Sequence, residues 1–156
     1  LDAGPCWLGC RDSQYRAAAG TSAEALEAEI LHKLTRALRR HGCGPIAVPL
    51  GLLAGDHTLA HRAALRLVRR RDDLQWIAYE DAAAPAATVA RRVETLERLG
   101  LAPAPLALRE EASWREAAFR KDRAVRCYES LLRGYAAAGR SVRSVAGTER
   151  YWRLSK

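Results

Sequence analysis

The chain has 156 residues, 49% hydrophobic and 28% charged, with a net charge of +8 at neutral pH. This balance excludes a disordered chain, and 11 Gly and 6 Pro without a period exclude a collagen-like repeat. The most apolar run, residues 46–54, is far shorter than the roughly 20 residues of a membrane span, so the length reads as one domain with a packed core and no membrane span.

In chain order, Cys6-Trp7-Leu8-Gly9 reads as a short strand, followed by the polar turn Arg11-Asp12-Ser13-Gln14. The chain opens at Leu1 almost directly into this run, as if entered partway through a domain. Thr21-Ser22-Ala23-Glu24-Ala25 has the form of a capping box, with Thr21 or Ser22 as N-cap and Glu24 in the first turn. Leu26, Ile30, Leu34, Ala37 and Leu38 then recur at helical spacing until Arg39-Arg40-His41-Gly42, cations and a glycine that suit a helix C-terminus. The apolar run 45–50 between Gly44 and Gly51 suits a strand buried in a parallel sheet.

After a loop at 52–57, a second helix is predicted from Thr58 to about Arg71. A strand at 75–79 ends in Glu80-Asp81, a third helix covers 88–99, and a weaker strand covers 103–108. Residues 110–138 read as one long helix, or two broken near Gly134, with Ala124, Cys127, Tyr128 and Leu131 on a packing face. The tail carries Tyr151, Trp152 and Leu154, which should dock on the body. The alternation predicts an α/β fold: a Rossmann-like layered sheet, mostly parallel, with helices on both faces. Ligands of such sheets bind at the C-terminal strand ends, here the loops 11–15, 52–57 and 79–81. The chain contains neither Gly-x-Gly-x-x-Gly nor Gly-x-x-x-x-Gly-Lys, so dinucleotide and nucleoside-triphosphate chemistry have no support.

The basic excess is almost all arginine, since Lys33, Lys121 and Lys156 are the only lysines. The arginines are spread over several segments, which fits a solvated surface better than a nucleic-acid stripe. Cys6, Cys10, Cys43 and Cys127 form no Cys-x-x-Cys pair and read as buried thiols in a reducing, cytoplasmic setting.

Gly55-Asp56-His57 directly follows the second strand, with His61 four residues on. Asp beside His at a strand end can bind a divalent metal or orient an imidazole; equally, Asp56 can N-cap the following helix and the two histidines can lie on its surface. Asp12 lies in a polar cluster able to contact ligand hydroxyls, or in a plain Asx turn. Of Glu80 and Asp81, adjacent on an extended chain, at most one can face a ligand. No Ser-His-Asp or Cys-His triad is marked by context.

Several segments together resemble the PIG-L/LmbE-like zinc-dependent N-deacetylases. Val48-Pro49-Leu50-Gly51-Leu52, Asp56-His57 and His61-Arg62-Ala63-Ala64-Leu65 resemble the family's second metal motif. Leu8-Gly9-Cys10-Arg11-Asp12-Ser13 resembles its segment with a sugar-contacting Asp, and Ala78-Tyr79-Glu80-Asp81 a strand end of bacterial members. The stretch from Lys121 to Ser130 resembles the late helix motif, and Glu149-Arg150-Tyr151-Trp152-Arg153-Leu154 the C-terminal ending. The resemblance implies a hydrolase that removes an N-acetyl group from an N-acetylglucosamine-type sugar conjugate by zinc-assisted amide hydrolysis. It implies His57 as zinc ligand, Asp56 as its catalytic-site neighbour and Asp12 as a sugar-hydroxyl contact.

Two departures shape the expectation. The family's His-Pro-Asp-Asp motif, source of two further ligands and the general base, has no counterpart in this sequence, so the N-terminal strand-helix unit of the family domain is expected to be missing. Ala54 stands where the family has a His. A catalytic zinc takes about three protein ligands. With one by motif, the chain is expected to hold no stable zinc and to be inactive as given; the alternative is a non-catalytic relative that binds a sugar or a protein. Uncovered strand edges predict self-association.

Overall fold

The computed structural model describes residues 6–11, 20, 22–41, 44–52, 55–81, 84–106, 113–137 and 150–156. Helix α1 (Ala23–His41) begins where Ser22 Oγ accepts the Ala25 amide at 3.2 Å, so Ser22 is the capping residue. Strand β1 (Ile46–Pro49), helix α2 (Asp56–Val68), strand β2 (Trp76–Tyr79), helix α3 (Ala86–Arg98) and strand β3 (Ala102–Leu106) follow in the predicted alternation. Helices α4 (Ser113–Arg126) and α5 (Glu129–Ala137) come next, and strand β4 (Tyr151–Ser155) is last.

The fold is α/β, with a four-stranded sheet in the order β1-β2-β4-β3. β1 and β2 pair in parallel, while β4 pairs antiparallel with both β2 and β3. β3 therefore runs the same way as β1 and β2, and β4 alone runs against them. This corrects the mostly parallel sheet of the sequence reading: one neighbouring pair is parallel and two are antiparallel. The tail does dock, as an inserted strand. Helices α4 and α5 separate it from β3 in sequence, and Tyr151 and Trp152 supply β-favouring side chains.

Register assigns the faces, because directly opposed residues lie on the same side of a sheet. Ala78 lies opposite both Val48 and Trp152, and Trp76 opposite both Ile46 and Leu154. The core takes Val48, Trp76, Ala78 and Leu154 from this face, with Ala64, Leu67 and Val68 of α2 and Val89 and Leu96 of α3. Both crossover helices thus cover one face. Two right-handed crossovers stepping the same way along a sheet must return on the same side. Neither crossover helix covers the other face. The other face carries Ala47, Ile77, Tyr79, Tyr151 and Arg153, none of them in the core. Full burial of Leu50 and Leu96 contributes roughly 1.5–3 kcal/mol each. α1 packs on α2 through Leu26, Ile30 and Ala63. Beside them the buried carboxylate of Glu27 meets Arg62 Nε at 2.8 Å and Arg66 Nε at 2.9 Å.

Other expectations are corrected. Residues 6–11 form no strand: Gly9 turns into the left-handed region at φ 64°, Lys33 Nζ donates to its carbonyl at 3.0 Å, and Trp7 is 90% exposed. Cys6, Cys10 and Cys127 are free and exposed rather than buried, since they sit on this open segment and on an outward helix end. The long helix breaks at Cys127-Tyr128, not at Gly134, which lies inside α5. There the Cys127 and Tyr128 amides bond to Ala124 and Val125, three residues back, and tighten the last turn. Of the proposed packing face, Ala124, Cys127 and Tyr128 are exposed, Tyr128 by 63%, and the side chain of Leu131 lies outside the described ones.

Candidate functional site

β1 and β2 end side by side. The Leu50 amide donates to the Tyr79 carbonyl at 2.8 Å, one step beyond the last strand pair. Past this point Gly51 bends the chain at φ 70°, and Gly55 at φ 82° N-caps α2. Asp56 is therefore the first helical residue and not the cap; its carboxylate lies at the positive end of the helix. His57 follows in the first turn.

The two carboxylates after β2 go to different uses, as the alternation requires. Both are buried. Glu80 accepts the Trp152 indole N–H at 2.8 Å and pairs with Arg150 at 2.5 Å, while its own amide bonds the Arg150 carbonyl at 3.0 Å. It fastens β4 to the end of β2. Asp81 points the other way and takes the Nδ1 of His57 on Oδ1. Its Oδ2 is buried with no partner among the described residues. Burial, and then the Asp81 charge, push the Tyr79 hydroxyl up, so it stays protonated beside this carboxylate.

The His57–Asp81 pair sets the imidazole's chemistry. A carboxylate oxygen can only accept, so Nδ1 carries the proton, and Nε2 is the nitrogen left for a metal or a substrate proton. The side chain is 47% exposed, so the ring reaches solvent from a buried anchor. A carboxylate that accepts the Nδ1 proton commonly stands behind a metal-bound histidine, and it suits a general base equally.

His61, one turn later, is fully buried rather than on the helix surface. Its Nδ1 donates to the Pro49 carbonyl at 2.9 Å, and its Nε2 has no partner among the described residues. Burial, with a smaller push from the Arg92 charge, lowers its pKa to about 4, so the ring is neutral.

The structure thus joins two of the three loops picked from sequence, 52–57 and 79–81, through His57 and Asp81. Asp12 and Ala54 lie outside the described residues. Asp81 as the partner of His57, and His61 as a core residue, are what sequence reasoning missed. Adjacent parallel strands ending together could have pointed to the first. A cation at His57 would meet Nε2, since Nδ1 is held by Asp81. Among the described residues, no group of three or more His, Cys, Asp and Glu could hold an ion. Also among them, no helix is long and apolar enough to cross a membrane. Comparisons with protein-family models, with curated proteins and with solved structures return no match.

Proposed function

We propose that the rim of β1 and β2 carries the histidine corner of a zinc-dependent N-deacetylase site, acting on an N-acetylglucosamine-type sugar conjugate. The observation that supports this reading is the anchoring of His57 Nδ1 on the buried carboxylate of Asp81. When bound, the metal would polarise the N-acetyl carbonyl and lower the pKa of a bound water. The chain's own residues would do the rest. Asp81 holds the ring and its tautomer, His57 offers Nε2, Asp56 sits beside it at the helix start, and Asp12 is proposed to contact a sugar hydroxyl. In the same reading the three exposed free thiols fit a reducing, cytoplasmic setting. The sheet face with Ile77, Tyr79 and Tyr151 is a place for self-association.

The test is a zinc titration followed in the imidazole spectra of the four histidines. Zinc should perturb His57 first, weakly, as one imidazole alone binds, and His57→Ala should abolish the effect. Zinc that spares His57 would overturn the assignment. Ala54, in place of the resembled family's His, favours a second reading: a non-catalytic relative that binds the sugar. Binding of N-acetylglucosamine without acetate release, at saturating zinc, separates the two.

A further inference from the structure

His61 has no role in the reading above, yet it is the most completely buried polar side chain of the rim. Its surroundings are built closely. Its Nδ1–H meets the carbonyl of Pro49, the last residue of β1. Gly51, two residues on, lies so near that a Cβ there would stand 2.7 Å from His61 Cβ and 2.8 Å from Cγ. From the far side Arg92 of α3 donates to the Gly51 carbonyl at 2.5 Å. The chain leaving β1 is therefore gripped from α2 by an imidazole and from α3 by a guanidinium.

This grip bears on His57. The two histidines are one helical turn apart on α2. A bond from His61 to the end of β1 sets how far α2 slides along the rim and how it is rotated. Asp81 belongs to the same rim, one strand over, and the His57–Asp81 contact demands that both be set correctly. We propose that His61, with Arg92, is a positioning residue that locks α2 against the end of β1 and so holds the His57 ring on Asp81. This rests on the geometry of the turn alone and stands whether or not His57 binds zinc.

The test uses three variants of the whole chain and no metal. Nitrogen spectra correlated to the carbon-bound ring protons report which His57 nitrogen carries the proton. In the parent protein His57 should show the Nδ1–H tautomer. His61→Leu keeps an apolar filler of similar size but loses the donor. It should stay folded by circular dichroism while His57 reverts to the tautomer mixture of a free imidazole. His61→Asn, whose amide nitrogen can replace Nδ1, should restore the anchored pattern. A folded His61→Leu with His57 unchanged would overturn the proposal, and so would an asparagine variant that fails to restore the signal. If His61→Leu does not fold, Arg92→Leu decides. It removes the outer grip on Gly51 and should shift the same His57 signal, whereas an unchanged signal refutes the role.

Discussion

The indole of Trp152 and the carboxylate of Glu80 meet at 2.8 Å across 72 positions of sequence. This bond places the last strand beside β2, and Arg150 adds a charged contact to the other oxygen of the same carboxylate. The residue that fastens the tail is thus the direct neighbour of the one that anchors His57. Sheet assembly and site assembly share two consecutive carboxylates pointing in opposite directions.

Replacing Trp152 by Phe keeps much of the apolar contact but removes the donor. Glu80 would keep Arg150 and lose its neutral donor. A loss of about 1–3 kcal/mol is expected in urea unfolding, the cost of leaving a buried acceptor underpaired. Because the Glu80 amide also bonds the Arg150 carbonyl, β4 should stay in place and the spectrum of His57 should not change.

Much of this architecture is legible from residue order. A cap at Thr21 or Ser22, the apolar repeat of α1 and the strand-helix alternation follow from local rules that hold before any tertiary contact forms. What escapes is decided at long range. The direction of β4 depends on a vacancy between β2 and β3 that no local pattern announces. The break at Cys127-Tyr128 has no Gly or Pro to mark it. His61 and His57 look alike at one-turn spacing, and only packing against Gly51 sends one inward while Asp81 holds the other at the surface.

Gly51→Ala should be among the most damaging small substitutions. The backbone φ of 70° strains any L-residue by roughly 1–2 kcal/mol. The added methyl also meets His61 Cβ, an atom close to its own helix backbone that cannot swing aside. The combined cost should exceed about 2 kcal/mol, read as a lower midpoint in thermal unfolding, with His57 displaced from Asp81.

Acid should act through His61. Its pKa falls from 6.5 in the open chain to about 4 in the fold, mainly by burial. Between these values the unfolded chain binds the extra proton and the folded one does not. Stability therefore rises with pH across this window and is lost as pH falls through it, by up to about 3 kcal/mol. His61→Leu should flatten this part of the stability profile, as measured by urea unfolding at a series of pH values. An unchanged slope would show that the ring is not buried neutral.

Glu27 joins α1 to α2 from a buried position, with Arg62 and Arg66 both on its carboxylate. The two arginines are about half exposed and can turn to water, so removing the carboxylate does not strand a buried charge. Glu27→Gln should then cost only about 1–2 kcal/mol, less than breaking a wholly buried pair. Part of the contribution should fade at high salt in the parent but not in the variant.

Asp81→Asn tests the anchor directly while changing almost no volume. An asparagine can present either its carbonyl or its amide to Nδ1, so the ring loses its electrostatic reason to keep the proton on that nitrogen. The charge that favours Nε2 as a donor to a cation disappears with it. If His57 binds zinc as proposed, its affinity should fall by about 10–100-fold, the usual effect of removing a carboxylate behind a ligating histidine. The fall should be read from the His57 resonances during zinc titration, because the protein's other histidines report non-specific binding in the same spectrum. A variant that binds zinc at His57 as well as the parent would show that Asp81 only packs against the ring.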